Sequence, residues 1–352
     1  MRRLTILVFC SFILSFLKSQ PRVLREISGI TEGDWNMTEG RVEWVNCLEA
    51  GLGVVLWKGA MFEGTAIATY STADPVSDDL LGFSNIYTGD NKPFRLMQAS
   101  LGQRFGKRVY VSAGLRNIDI DYFTSPATSL FTAPADADFP IISNNYSVAT
   151  FPMSALGVHL EIYPFRGFTV KSSLYNDVAD DTFKRQFRFR PGRDGLFSIG
   201  SLSYEWEVFK EADATYAFGY VAGKVPDGEV SGVFYRKTGI WGLVEQPFLR
   251  WGTTRWCLLL QGAMMTRYRQ DTHGYWGTGL TVSGISGRNI EAGVAVNRMH
   301  DLASGNEIDA EVTCVVPFSD WLSVQPAVHV IRSRHREMVV GLLRLNVTFG
   351  NR

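Results

Sequence analysis

The chain has 352 residues with 35 basic and 35 acidic side chains, a formal net charge of zero that argues against a dedicated nucleic-acid binder. Its 34 glycines and 13% aromatic content suit a protein with many turns, and no Pro/Ser-rich linker divides it into domains. Cys10, Cys47, Cys257 and Cys314 lie far apart and without metal-ligand spacing, so neither a disulfide framework nor a metal site is expected.

Arg2 and Arg3 precede an apolar run from Leu4 to Leu17, followed by the small and polar Ser19 and Gln20. This is the layout of a secretory signal peptide over residues 1–20, cleaved near Gln20, and the run is shorter than the ~20 residues a spanning helix needs. Residues 21–41 are expected to form a periplasmic segment, and residues 42–352 the main domain.

From there the chain reads as strands. The first three are expected within Val42–Leu48, Gly53–Phe62 and Thr65–Ser71. Next come Phe94–Phe105, Arg108–Ile118, Leu156–Tyr163, Phe168–Asn176, Leu196–Glu207 and Ala214–Ala222. The series ends with Gly239–Arg250, Arg255–Thr266, Trp276–Ile285, Asn289–Met299, Glu307–Val316, Trp321–Arg332 and Met338–Phe349. In Glu307–Val316 the acids Glu307, Asp309 and Glu311 alternate with Ile308, Ala310, Val312 and Cys314. In the last strand Val339, Leu343, Leu345, Val347 and Phe349 oppose Arg344, Asn346 and Thr348. Successive strand residues point to opposite faces, so one face suits lipid and the other an aqueous lumen that hydrates the acids. Short connections alternate with long ones, as periplasmic turns alternate with external loops in a membrane barrel. The fold class expected is all-β, a transmembrane antiparallel β-barrel of about sixteen strands within a range of fourteen to eighteen. Pro326 cannot donate to a ladder and predicts a bulge. The polarity of Arg108–Asp121 switches near Arg116, where the wall is expected to end or bulge.

Chemistry is sparse. The five histidines form no paired metal motif, and neither a G-x-S-x-G elbow nor a G-x-G-x-x-G loop is present, so no catalytic residue, cofactor or metal is assigned and the chain is not expected to be an enzyme. His159 and His329 read as solvated lumen residues. The insertion Tyr122–Met153 is long for a connection and either folds into the lumen, presenting Asp136, Asp138, Asn144, Asn145 and Tyr146, or caps the outside. Lys184–Arg193 interleaves Arg185, Arg188, Arg190 and Arg193 with Phe187 and Phe189, which places the arginines either at an outer rim facing anionic groups or solvent, or inward, where guanidinium forks donate to solute hydroxyls and rings offer flat apolar faces. Pore-lining candidates on the wall are Gln98, Ser100, Arg104, Glu161, Lys171, Ser173, Tyr175, Glu311, Gln325, Arg344 and Asn346, joined by Asn117, Asp119 and Asp121 where the polarity switches. Mixed polarity with no net charge suits neutral solutes better than ions.

The segments GFSNI (Gly82–Ile86), SAGLRNIDIDYF (Ser112–Phe123), SLFTAPADADFP (Ser129–Pro140), FPMSALGVHL (Phe151–Leu160), DGLFSIGSLSYEWE (Asp194–Glu207), GLVEQPFLR (Gly242–Arg250) and NEIDAEVTCVVPFSDWLSVQPAVHVI (Asn306–Ile331) together resemble the carbohydrate-selective porins of the OprB type. The resemblance runs from about Trp44 to Phe349. It implies a sixteen-stranded, water-filled channel passing small sugars passively across a bacterial outer membrane, as a homotrimer or a monomer. Membrane lipid, lipopolysaccharide and the barrel-assembly machinery are the expected partners. The aromatic residue that the family places last is here Phe349, three positions before the end. A non-selective porin, a barrel enzyme and a closed structural barrel are the alternatives.

Overall fold

The computed structural model describes residues 23–72, 76–77, 81–210, 212–227, 230, 232–267, 272–302 and 305–351. The signal peptide expected over residues 1–20 lies outside them.

Sixteen strands form one closed sheet. The first five are β1 (Val23–Asn36), β2 (Arg41–Trp57), β3 (Ala60–Ser71), β4 (Lys92–Phe105) and β5 (Val109–Arg116). After the longest connection come β6 (Ala155–Ile162), β7 (Phe168–Asn176), β8 (Leu196–Phe209), β9 (Ala212–Pro226), β10 (Phe234–Trp251) and β11 (Thr254–Arg267). The wall is completed by β12 (Thr272–Ile285), β13 (Ile290–Asp301), β14 (Gly305–Ser319), β15 (Leu322–Arg332) and β16 (Glu337–Asn351). Each pairs antiparallel with its sequence neighbour, and β1 pairs β16 from Arg25↔Asn351 to Asn36↔Val340. Closure leaves no strand edge without a partner, the condition for a sheet to cross hydrocarbon.

The count of sixteen agrees with the sequence reading, but the first three strands are divided differently. Residues 23–36, read as periplasmic, are β1, and the two pieces Val42–Leu48 and Gly53–Phe62 fall largely within the single strand β2. The outward face of β1 carries Arg25, Gly29, Thr31 and Gly33 beside Ile27 and Trp35, so its alternation is weak. Gly51 and Gly53 similarly resemble a break in β2 although the ladder runs through both. At Pro326 the expected bulge is not found. Pro326 keeps register with Leu343 on β16, while on its other side the β14 pairing skips from Thr313↔Ala327 to Val316↔Val324, so the missing N–H faces a gap. β5 ends at Arg116, where the polarity switch places the end of the wall.

The faces follow parity. On β14 Glu307, Asp309 and Glu311 are buried inside the barrel while Val312 is 58% exposed outside. Outward aromatics gather at two levels, Phe105, Trp206, Phe318, Trp321 and Phe349 near the short turns, and Trp35, Trp44, Tyr70, Tyr220 and Trp276 near the long loops, as interfacial girdles require. Phe349 stacks on Trp321 with ring centroids 5.5 Å apart. Connections 58–59, 106–108 and 252–253 are tight and share one end with the termini; 72–91, 117–154 and 177–195 leave the other.

The lumen holds the molecule's main apolar core. Phe123, Phe131, Phe139, Ile141, Ile142 and Tyr146 from segment 117–154 pack against Phe197, Trp241, Leu259 and Tyr275 of the wall. Phe123 lies 4.9 Å and Phe139 5.5 Å from the Trp241 ring. The long insertion therefore folds into the barrel and does not cap it.

Because Val312 faces outward at the middle of β14, Val312→Arg should destabilise the barrel in lipid by about 2–4 kcal/mol. Inward and exposed Glu205→Lys should change it by less than about 1 kcal/mol, the ordinary range for a surface site. Urea unfolding in lipid vesicles, followed by tryptophan fluorescence, measures both; equal costs would reverse the assignment of faces.

Candidate functional site

Three inner surfaces surround the inserted loop. On the first, wall side chains hold it. Glu311 of β14 accepts from Thr132 N at 2.9 Å, Ala133 N at 3.1 Å and Thr132 Oγ1 at 3.1 Å. Gln325 Nε2 of β15 donates to Leu130 O at 2.7 Å, Gln261 Nε2 of β11 to Asp136 O at 2.9 Å, and Tyr275 OH of β12 to Ala135 O at 2.8 Å. Asn297 Nδ2 donates to Asp136 Oδ2 at 2.8 Å. Buried carboxylates are costly unless hydrogen-bonded, and here loop amides satisfy Glu311 where the sequence reading expected water. The Asp136 carboxyl is fully buried, and desolvation together with nearby Glu311 raises its pKa well above the ordinary carboxylate value.

Glycines on the wall make room. A Cβ on Gly293 would lie 2.8 Å from Leu130 Cδ2 and 3.0 Å from Phe131, and one on Gly279 3.2 Å from Phe131. Segment 72–91 joins the plug: Leu81 N donates to Glu307, Asn85 N to Thr132 O, and Val76 N to Glu43. Arg344 bonds Glu32 and the Asn85 side chain.

The second surface is a polar strip on β3–β7 below the loop root. Arg116 holds Asp121 through two nitrogens, and Tyr175 OH donates to the same carboxylate at 3.3 Å. His159 Nδ1 lies 2.7 Å from Ser173 Oγ, and its Nε2 lies 3.1 Å from Glu161 and 3.6 Å from Asp121. Lys171 Nζ donates to Asp121 O at 2.7 Å and stands 3.9 Å from Glu161. Tyr163 OH donates to Glu161, and the Arg104 guanidinium lies 5.4 Å over Tyr110 and 5.5 Å over Tyr163. Glu63 accepts from Tyr110 OH and Gln98 Nε2. Arg104, Arg116 and Lys171 thus balance Glu63, Asp121 and Glu161, and the side chains of Arg104, Tyr110, Tyr163, Glu161 and Lys171 retain solvent exposure.

The third surface is open space of about 440 Å³ between Thr124, Pro126 and Ala127 of the loop and Glu205, Glu245 and Arg255 of the wall.

The predicted residues divide accordingly. Arg104, Asp121, Glu161, Lys171 and Tyr175 meet in the strip, although Tyr175 and Asp121 are buried by it. Asn117 and Asp119 fasten its root: Asn117 Nδ2 donates to Met153 O and Asp119 accepts from Phe151 N at 2.7 Å. Glu311, Gln325 and Arg344 face inward but are covered by loops, so they anchor the plug and do not border water. His159 and His329, read as solvated, are fully buried and bonded. Asp136, Asn145 and Tyr146 likewise pack in the plug. Arg188 and Arg190 are exposed in the 177–195 connection, with Arg190 paired to Asp194 at 3.3 Å. Tyr110, Tyr163 and Arg116 were missed; their inward parity on β5 and just beyond β6 is the signal that could have found them.

Replacing Gly293 with leucine drives a side chain into Leu130 and Phe131, overpacking worth about 1–3 kcal/mol against the docked loop. Single-channel conductance in planar bilayers should rise, and an unchanged value would mean that the loop does not limit the opening.

The fold and its inner surfaces can be set beside known proteins. Structures of Pseudomonas putida OprB at high and low pH resemble it with TM-scores of 0.80 and 0.60, at 14% and 15% identity, over 97% of this chain and 97% and 96% of theirs. An anion-selective porin from Comamonas acidovorans gives a TM-score of 0.60 at 10% identity, over 94% of this chain and 99% of its own. No sequence among curated proteins matches the chain at a significant level. The profile of the carbohydrate-selective porin OprB family matches residues 54–349, most of the barrel. The chain belongs to the OprB family of carbohydrate-selective porins, and is an outer-membrane β-barrel channel for the diffusion of small sugars.

Proposed function

We propose that sugar passes along the β3–β7 side of the lumen, over the strip formed by Arg104, Tyr110, Tyr163, Glu161 and Lys171, with the loop root at Asn117–Asp121 forming the narrowest level. The strip's chemistry supports this reading. Arginine and lysine donate to hydroxyls, the carboxylates accept from them, and tyrosine rings offer flat apolar faces with a polar edge to a pyranose. Its charges balance, which matches a neutral solute. The opposite β9–β13 side is packed with aromatic and aliphatic side chains and offers a sugar few hydrogen bonds. A non-selective pore would need only the open space, so the discriminating quantity is saturable block by sugar.

The remaining proposals concern setting. The export segment is cleaved near Gln20; the first barrel strand starts at Val23, so cleavage there leaves the wall whole. The exposed Lys184, Arg185, Arg188 and Arg193 face lipopolysaccharide phosphates at the outer rim. The channel is delivered by the barrel-assembly machinery and works as a monomer or a homotrimer.

Tyr163→Ala combined with Arg104→Gln should weaken glucose or maltose block of single-channel current by about tenfold, roughly 1.4 kcal/mol, while leaving the barrel folded. Arg188→Gln with Arg190→Gln should leave block and reversal potential nearly unchanged, because rim charges are screened within about 8–10 Å at ordinary salt. If the rim pair alters block and the strip pair does not, the path lies elsewhere.

A further inference from the structure

The lipid-facing side of the wall has glycines of its own, and they differ from those inside. On the inner face a Cβ at Gly219, Gly239 or Gly277 would collide with Trp241, Met265 or Asn297, so the packing there excludes a larger residue. On the outer face a Cβ at Gly242 or Gly262 would find nothing nearer than 3.5 and 3.8 Å, and one at Gly274 nothing within 4 Å. No contact within the chain requires glycine at these three positions. Glycine in the interior of a strand weakens it and often marks a place where something else approaches closely.

Register brings the three together. One outward row across β9–β13 runs Phe218, Gly242, Gly262, Trp276 and Arg298, and the next row toward the long loops runs Ile240, Met264, Gly274 and His300. The missing side chains leave an open furrow of about 660 Å³ between Phe218 and Trp276. A second hollow of about 520 Å³ shares Phe218, Gly242 and Gly262 with it and leads past Val244 and Leu260 toward the short turns. The furrow is apolar except at the end nearer the long loops, where Arg298, His300 and Asn306 line it. Trp276 belongs to the outer aromatic girdle, so Arg298, its cross-strand partner, lies at headgroup depth. His300 is engaged by Asn306 and by the His273 ring 4.4 Å away. Among the described residues, by contrast, no carboxylate pairs with Arg298 and nothing accepts a hydrogen bond from it. Lys224 and Arg236, cross-strand partners on the same face, add two cations at that end of the wall.

We propose that this furrow is a specific binding site for one lipid of the outer leaflet, the lipid A part of lipopolysaccharide, with an acyl chain lying over Gly242 and Gly262 and a phosphate on Arg298. A hollow that is apolar, open to hydrocarbon and free of side chains accepts an acyl chain at no cost in desolvation. A guanidinium with no anion from its own chain offers its fork to a phosphate, which takes two parallel hydrogen bonds from it. The position of the cations at the long-loop end selects the outer leaflet, and an acyl chain with a phosphate above it matches both parts of the furrow at once. The inference rests on the outer-membrane placement of the barrel and not on the path taken by sugar, so the two fail separately.

The test uses the full-length barrel, delipidated in detergent, with purified lipid A added and binding read by native mass spectrometry. Wild type should retain lipid A, and Gly262→Leu, which fills the furrow, and Arg298→Gln, which removes the phosphate donor, should each lower affinity at least tenfold. Lipid A stripped of its phosphates, and phosphatidylglycerol, should bind wild type at least tenfold more weakly than intact lipid A. Arg288→Gln, in the exposed short turn at the other end of β12 and β13, should leave binding unchanged. Heat-modifiable migration checks that each variant is folded, and Gly274→Leu, whose Cβ meets nothing, replaces Gly262→Leu if that variant fails. A folded wild type that retains no lipid A would overturn the proposal, as would binding insensitive to both the glycine and the arginine substitutions, or equal binding of either comparison lipid. A homotrimer that Gly262→Leu dissociates would overturn it too, because a second copy of the chain would then fill the furrow.

Discussion

An acid on the inner wall of a barrel must find donors, and here they are mainly those of the chain itself. Glu311 takes two backbone amides and a hydroxyl from residues 132–133, Glu307 takes the Leu81 amide, and Glu43 takes the Val76 amide. A carboxylate buried without such partners costs several kcal/mol, so each of these acids binds a loop to the wall as firmly as the loop relieves the acid. The position of the plug, the narrowing of the lumen and the side on which water remains all follow from where these acids stand.

The two halves of the lumen therefore do different work. On β9–β13 the wall offers Trp241, Leu259, Tyr275 and cleared glycine positions, and the loop presses its aromatic residues there. On β3–β7 the wall offers balanced charges and two half-exposed tyrosines, and the loop meets it near its ends, where Asp121 pairs with Arg116, Tyr122 OH bonds Ser173 Oγ and Phe151 packs beside Val45 and Met97. A channel built this way takes the packing of its loop mainly on one side and keeps its accessible polar groups on the other.

Parity made the wall legible in the sequence. The alternation at β14 and β16 states which residues face lipid, and the break at Arg116 marks where β5 ends. What was illegible has physical causes. β1 hid because Arg25, Thr31 and two glycines dilute its outer face, and the destination of segment 117–154 hid because loop length carries no direction. The acids of Glu307–Glu311 could equally face water or a plug; only the donors on a segment some 180 residues earlier decide between them, and such long-range pairing leaves no local pattern. Within the site, the outermost accessible members of the strip were half found: Arg104, Glu161 and Lys171 from their polarity, while Tyr110 and Tyr163 were not singled out, because an aromatic ring does not mark its face by polarity.

The separation of those partners in sequence also orders assembly. Thr132 and Glu311 lie 179 positions apart, and Leu130 and Gln325 lie 195 apart, so these anchors come last, once β14 and β15 have been made, after those that Glu245, Gln261 and Tyr275 supply on β10–β12. Contacts between distant segments form late because the chain must first be brought together. Docking of the loop is consequently complete only when the last strands have taken their places beside β1, so the final width of the lumen is tied to closure of the wall.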